Sequence, residues 1–263
     1  MSDTSDIRSV VREKYGEIAE RKRSGCGCEP ASPADACCGD TSLTPGYTEE
    51  QMAALPEGAD LGLGCGNPLA HAEVKPGETV LDLGSGAGVD CFLAARETGP
   101  GGHVIGVDMT PAMIERARAN AAGKDYAQVE FRLGEIEHLP VADASVDCII
   151  SNCVVNLSPD KPQVFREAHR VLRPGGRMLV SDLVLTRPLP PELQQDVALY
   201  VGCIAGAALK DDYLAMIRAA GFTEVEVVEE SAYSVGLDVP PEGGCECAAF
   251  TLVESVKVRA RKS

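Results

Sequence analysis

The sequence of 263 residues predicts an α/β protein built on a parallel, doubly wound sheet, with appendages at both ends. Two observations predict this class. From Glu78 to Asp182, hydrophobic runs of strand length alternate with segments of helical periodicity, the pattern of successive βαβ units. A glycine-rich turn, Gly84-Ser85-Gly86-Ala87-Gly88, follows the first of those runs, at the carboxyl edge where such sheets bind ligands.

Ahead of this region, Ile7, Val10, Val11, Tyr15, Ile18 and Ala19 recur at helical spacing and predict an amphipathic helix that stops before Ser24-Gly25. The stretch "SGCGCEPASPADACCGDTSLTPG" is rich in Gly, Pro, Ser and Cys and predicts a loop to Gly46. Thr48 with Gln51 has the spacing of a capping box, opening a short helix to Leu55. The core strands are then "TVLDLG", "HVIGVD", "QVEFRLG", "SVDCIIS" and "GRMLVSD", with helices from about Ala87, from Pro111 and from Pro162 to Leu172. Beyond Arg187, helical segments around Pro191 to Leu199 and Lys210 to Ala220 precede strands near Phe222 to Val228 and Cys247 to Val258. The organisation divides into an N-terminal helix and Cys-rich loop (1–60), a core (61–186) and a small C-terminal α+β region (187–263).

A formal charge of −16 argues against nucleic-acid and anionic-membrane partners, because counterion release needs clustered Lys and Arg. No run of 18 apolar residues occurs, and the N-terminus lacks a basic start leading into an apolar segment, so a cytoplasmic protein is expected. Eleven cysteines in that compartment are expected as free thiols, ligands or transient disulfides. There is no C-x-x-C pair and the four histidines are scattered, so zinc fits poorly and no metal cofactor is expected.

The glycine turn is not a dinucleotide fingerprint, since G-x-G-x-x-G requires glycine where this chain has Val89. Asp108, 20 residues beyond Gly88, ends the second core strand, where a carboxylate can accept both hydroxyls of a ribose. The acidic start of the turn at Asp82, the strand "VIGVD" and the phrase "LRPGGRMLVSD" together resemble class I S-adenosylmethionine-dependent methyltransferases. That resemblance implies their Rossmann-like sheet, with S-adenosylmethionine as co-substrate. It implies that Asp82, Gly84, Ser85, Gly86 and Asn152 lie near its methionine part, Asp108 at the ribose and Met109 against adenine. Glu135 is implied toward the adenine amino group and Ile136 toward the ring. Met109 and Ile136 suit ordinary core packing as well.

The strand "SVDCIIS" runs into Asn152-Cys153-Val154, which puts a thiol at the carboxyl edge. Methyltransferases of polar nitrogen carry an Asn-Pro-Pro-Tyr type sequence in that slot, whereas a thiol in apolar surroundings suits a soft, thiophilic centre. Cys65 sits between glycines in "LGLGCGNP", and Cys203 sits in the small-residue stretch "YVGCIAGA". The phrases "LGLGCGNPLA", "LDLGSGAGVD", "GEIEHLP", "SNCVVNL" and "CIAGA", in this order between about Tyr47 and Tyr233, resemble bacterial arsenite methyltransferases. The resemblance implies arsenic(III) held by Cys65, Cys153 and Cys203 in a trigonal pyramid, its lone pair facing the methyl donor. The products would be mono- and dimethylated arsenicals, a detoxification. It also implies that an upstream cysteine, Cys37 or Cys38, supports the first methylation, by relaying arsenic or by a disulfide with Cys65 that thioredoxin or glutathione reopens. Cys91 and Cys148, inside apolar runs, read as core. The C-x-C pairs Cys26/Cys28 and Cys245/Cys247 fit either arsenic capture or exposed thiols. Two other readings remain: methylation of a small organic acceptor such as a quinone or thiol, with the cysteines incidental, and non-catalytic arsenic sequestration.

Overall fold

Strand β1 (Thr79–Leu83) lies at the centre of the architecture. It pairs in parallel with β2 (His103–Asp108) on one side and with β4 (Val146–Asn152) on the other. Strands β3 (Val129–Leu133), β5 (Leu172–Leu185), β6 (Thr223–Ala232) and β7 (Val253–Arg261) complete a seven-stranded sheet in the order β3-β2-β1-β4-β5-β7-β6. These facts come from a computed structural model, which describes residues 4–20, 46–64, 66–122, 126–194, 196–233 and 252–263.

Side chains of successive strand residues point to opposite faces, and the two faces carry separate cores. Leu81, Leu83, Ile105, Val107, Met178 and Val180 face one layer. There they meet Val164, Phe165 and Ala168 of α6 (Lys161–Val171) and Tyr213 and Ile217 of α8 (Lys210–Ala219). Val80, Val104, Cys148, Ile150 and Leu179 face the other. That layer holds α3 (Leu69–Ala72), α4 (Val89–Thr98) and α5 (Pro111–Ala121), with Phe92 between Tyr126 and Phe131. With both faces covered, the central strands read as nearly continuous hydrophobic runs. Cys91 and Cys148 are fully buried in this second layer, as their settings predicted.

Three features differ from the sequence reading. First, β7 inserts antiparallel between β5 and β6, so six of the described strands run in one direction with β7 alone reversed, and the C-terminal strands extend the same sheet. Second, β5 runs on to Leu185, because β7 pairs with it from Arg177 onward. Third, the helix expected from Pro191 is only α7 (Val197–Val201), capped by the Asp196 side chain. The four-residue α3 is too short to show periodicity. Among the described residues no helix is long and apolar enough to cross a membrane.

Two peripheral segments reach the sheet's carboxyl edge. Helix α1 (Thr4–Glu20) packs on α5, where Arg116 donates to the Ala19 carbonyl at 2.7 Å. Helix α2 (Glu49–Ala53) opens on the expected Thr48/Gln51 capping box. The chain from α3 to β1 is pinned by the buried Arg177, which donates to the Glu73 carbonyl at 2.6 Å and pairs with Glu78 at 2.7 Å.

Gly106, in β2, shows how tightly the layer under the glycine turn is filled. A Cβ there would stand 2.7 Å from Phe131 and 2.8 Å from both Cys91 Sγ and Ser85 Oγ. Gly106→Ala is therefore expected to destabilise the fold by about 1–3 kcal/mol through overpacking, read from urea denaturation. An unchanged midpoint and slope would refute this packing account.

Candidate active site

At the carboxyl ends of β1, β2 and β4 the chain lines a cavity. The glycine turn forms its floor. Gly84 has φ +70°, and a Cβ on it would stand 2.3 Å from Val154, so both conformation and space demand glycine. The Gly84 and Ser85 amides donate to the Val107 carbonyl at 2.8 and 3.0 Å, and the Gly86 amide donates to Asp108 at 3.0 Å. Asp108 also accepts the Thr110 amide at 2.8 Å. Burial nevertheless raises its pKa, outweighing those bonds. Its two oxygens have lone pairs left for further donors.

Two more carboxylates stand beside the turn. Asp90 accepts the Tyr47 hydroxyl at 2.6 Å and the Asn152 amide at 3.3 Å. Asn152 also donates to the Tyr47 hydroxyl at 3.0 Å and the Gly66 carbonyl at 2.7 Å. Asp82 accepts from the Cys91 thiol at 3.3 Å. Both carboxyls are buried and raised: Asp82 by desolvation and then by Asp90, Asp90 by desolvation against its hydrogen bonds. Among the described residues no lysine or arginine forms a salt bridge with either. Two desolvated acids on a cavity wall suit a cationic group of a ligand.

The mouth is covered by α1, whose Arg8, Val11 and Tyr15 line the cavity. Arg8 pairs with Glu137 at 3.0 Å, and Glu137 also accepts the Ser158 hydroxyl at 2.6 Å. Of the segment after β3, Gly134, Ile136 and Glu137 line the cavity. Glu135 stands in a shallow groove beside it, with Arg12 at 3.5 Å and Arg8 at 3.8 Å. Met109 lines both.

On the far wall stands Cys153, nearly buried, its amide donating to the Ser181 carbonyl at 2.8 Å. It is disulfide-bonded. Cys203, equally buried, donates from Sγ to the Cys153 carbonyl at 2.9 Å. Both cysteines have left-handed backbones, φ 56° and 64°, a conformation that costs a non-glycine residue about 1–2 kcal/mol. Such outliers concentrate at functional sites. Burial, and then the charge of Asp182, push the Cys203 thiol far above the usual range, against a hydrogen bond with Tyr15. Asp182 lies fully buried beneath, accepting from Tyr213 at 3.1 Å, and desolvation pushes it up to about 7. Cys65 itself lies outside the described residues; of its neighbours, Gly64 lines the cavity and Gly66 is buried against Ser181. Cys26, Cys28, Cys37, Cys38, Cys245 and Cys247 also lie outside the described residues.

The cavity thus offers a carboxylate at the β2 edge, an acidic recess, and apolar walls at Met109 and Ile136. Among the described residues, Ser85 Oγ is buried without a partner, and beside Gly86 a Cβ would meet nothing within 4 Å. An S-adenosylmethionine molecule, with its ribose, ammonium and adenine, fits that donor and acceptor set.

A methyltransferase-domain family model matches residues 74–221. The chain is 55% identical over 232 residues to an arsenite methyltransferase of Halobacterium salinarum, an alignment covering 86% of this chain and 59% of that relative. Identity to an arsenite methyltransferase of Aquipseudomonas alcaligenes is 42% over 237 residues, or 87% of this chain and 66% of that one. Among solved structures, an arsenic(III) S-adenosylmethionine methyltransferase from Chlamydomonas reinhardtii superposes with a TM-score of 0.65 at 36% identity, covering 82% of this chain and 71% of that one. The chain belongs to the arsenite methyltransferase family. It spans 59% to 66% of the length of the two curated relatives.

For an arsenite methyltransferase family member, the sequence reading missed several residues at the site. Asp90 carried a signal, an acid inside the apolar run "VDCFLAA". Arg8, Val11 and Tyr15 share one helical face, but nothing local says what that face covers. Tyr47, Glu137 and Asn156 carried no signal of their own.

The raised Asp182 makes stability depend on pH. Its folded-state pKa of about 7 lies above that of an unfolded aspartate at about 4, so the native state retains a proton that the unfolded chain releases between these values. That contribution is present below about pH 4 and is lost as pH rises through about 7. Asp182→Asn should therefore flatten the decline of unfolding free energy across this window by up to about 1.4 kcal/mol per pH unit. Urea titrations at several pH values measure it, and parallel profiles for the two proteins would refute the assignment.

Proposed function

We propose that this chain transfers methyl groups from S-adenosylmethionine to trivalent arsenic held by cysteine sulfurs, converting arsenite to mono- and dimethylated arsenicals. The observation that carries the reading is the position of Cys153: it shares the wall of the cavity formed by the glycine turn, and the Cys203 sulfur reaches its carbonyl.

Asp108 would take the ribose hydroxyls, and Met109 and Ile136 the faces of adenine, with Glu135 at its amino group. Asp82, Gly84, Ser85, Gly86 and Asn152 would surround the methionine part. Asp90 joins them, because Asp82 and Asp90 have no lysine or arginine salt bridge among the described residues and the ammonium of the co-substrate supplies that counter-charge. When bound, this co-substrate supplies an electrophilic methyl group on a sulfonium.

Cys65, Cys153 and Cys203 would replace the three hydroxyls of arsenite. Each thiol proton leaves with one hydroxide as water, so the high pKa of Cys203 is no obstacle and no general base is needed. Arsenic in three thiolate bonds keeps a lone pair, which makes it the nucleophile. Holding the two reactants side by side is then the protein's main contribution, worth up to about 7–11 kcal/mol in well-oriented systems. The disulfide at Cys153 must first accept two electrons and two protons, so a thiol reductant such as thioredoxin or glutathione is required. Cys37 or Cys38 would support the first methylation as arsenic relay or disulfide partner. A protein working with such partners belongs in the cytoplasm.

Asp108→Ala should weaken S-adenosylmethionine binding by about 1–3 kcal/mol, the range for hydrogen bonds to a charged group. Calorimetry finding wild-type affinity would remove Asp108 from the site.

The thiols divide by substrate. Cys153→Ser and Cys203→Ser should abolish methylation of arsenite and monomethylarsenite alike. Cys65→Ser should lose arsenite but retain monomethylarsenite, which has one site fewer for sulfur. Speciating the products over time, with co-substrate and reductant present, decides it. Arsenite methylation that survives loss of Cys153 and Cys203 would overturn the function.

A further inference from the structure

The two sulfur-bearing turns are joined by reciprocal hydrogen bonds. Cys203 Sγ donates to the Cys153 carbonyl at 2.9 Å. In return Asn156, in the tight turn Val155–Leu157, donates from Nδ2 to the Cys203 carbonyl at 3.3 Å and to the Leu183 carbonyl of β5 at 2.6 Å. The Cys153 amide is tied to Ser181 on the same strand. Both turns therefore take their position from one stretch of β5.

Asn156 is fully buried and does not line the cavity. Its carbonyl accepts Lys161 Nζ at 3.2 Å, and a Cβ on Gly206 would stand 2.2 Å from that same oxygen. The Cys203 turn is thus pressed against the backbone of Asn156 as well as bonded to its side chain. Asn156 Oδ1 has no hydrogen-bond partner among the described residues. A buried amide that satisfies only its donor half is a poor choice for stability alone, since an unpaired acceptor carries a desolvation cost. What the side chain supplies is one NH2 group bridging a carbonyl fixed in the sheet and the carbonyl of a strained cysteine.

We infer that Asn156 is a positioning residue that sets the separation of the Cys153 and Cys203 sulfurs, and with it the capacity of this pair to grip a thiophilic centre. The inference rests on the proposed reading of these cysteines as arsenic ligands. Groups that orient a site's ligands typically control its affinity about 10- to 100-fold.

The test uses the full-length chain with Cys26, Cys28, Cys37, Cys38, Cys65, Cys245 and Cys247 replaced by serine, so that Cys153 and Cys203 are the only non-core thiols. Phenylarsine oxide, which needs two thiols at once, reports the pair, and iodoacetamide reports each thiol singly. Calorimetry with S-adenosylmethionine reports the integrity of the fold. Asn156→Leu and Gly206→Ala, the second keeping the amide but displacing the turn, should each weaken phenylarsine oxide capture about 10- to 100-fold. Single-thiol alkylation and co-substrate affinity should not change. Capture that persists in Cys203→Ser would overturn the reading of the cysteine pair itself. Capture lost in Cys203→Ser but unchanged in both other variants would overturn this inference alone, as would faster alkylation accompanying the loss, which signals general loosening. If Asn156→Leu no longer binds the co-substrate, Gly206→Ala decides, and undiminished capture there overturns the inference.

Discussion

The parallel pairing of β1 with β2 on one side and β4 on the other is the constraint on which the site depends. It brings three strand ends to one edge and makes the chain diverge there, since the connections leave toward opposite faces of the sheet. The glycine turn, Asp108 and Cys153 are each the continuation of one of these strands. Their mutual positions follow from ladder register more than from direct contact. Gly84 shows how close the tolerances are, because the β1 turn has room for Val154 only where no Cβ intervenes.

Around that edge the chain accepts several unfavourable features. Asp82 and Asp90 are buried beside the cavity without a cationic partner among the described residues, and Asp182 lies beneath the Cys203 turn. Two cysteines take left-handed conformations. Such local conflicts concentrate where a site is preorganised, and the surrounding two-layer core provides the stability that tolerates them. Helix α1 links the two halves of the site, since Arg8 reaches Glu137 on the cavity while Tyr15 reaches Cys203.

Much of the fold was legible because its signals are local. The runs "TVLDLG" and "HVIGVD" became β1 and β2 within a residue, and Pro111 and the Thr48/Gln51 box opened their helices as expected. The elements that went unread were short or set by remote partners. The four residues of α3 show no period, and the length of β5 is decided by β7, which comes some seventy residues later in the chain. At the site, Asp108, Ser85, Gly86, Ile136, Asn152 and Cys153 do line one cavity, while Glu135 points into the neighbouring groove toward Arg12.

By itself the sequence determined the strand and helix alternation, the glycine turn and the thiol at the end of β4. Hydrophobic runs of strand length, the need for positive φ and the softness of sulfur are properties of single residues and short windows. Only the tertiary structure decided which distant groups meet: Arg8 with Glu137 across 129 positions, Tyr47 with Asp90 across 43, and Asn156 with Cys203 across 47. Such pairs leave no periodic trace, because their separation in the chain is set by loop lengths and strand order, and their hydrogen bonds gain strength only once folding has removed water from both partners.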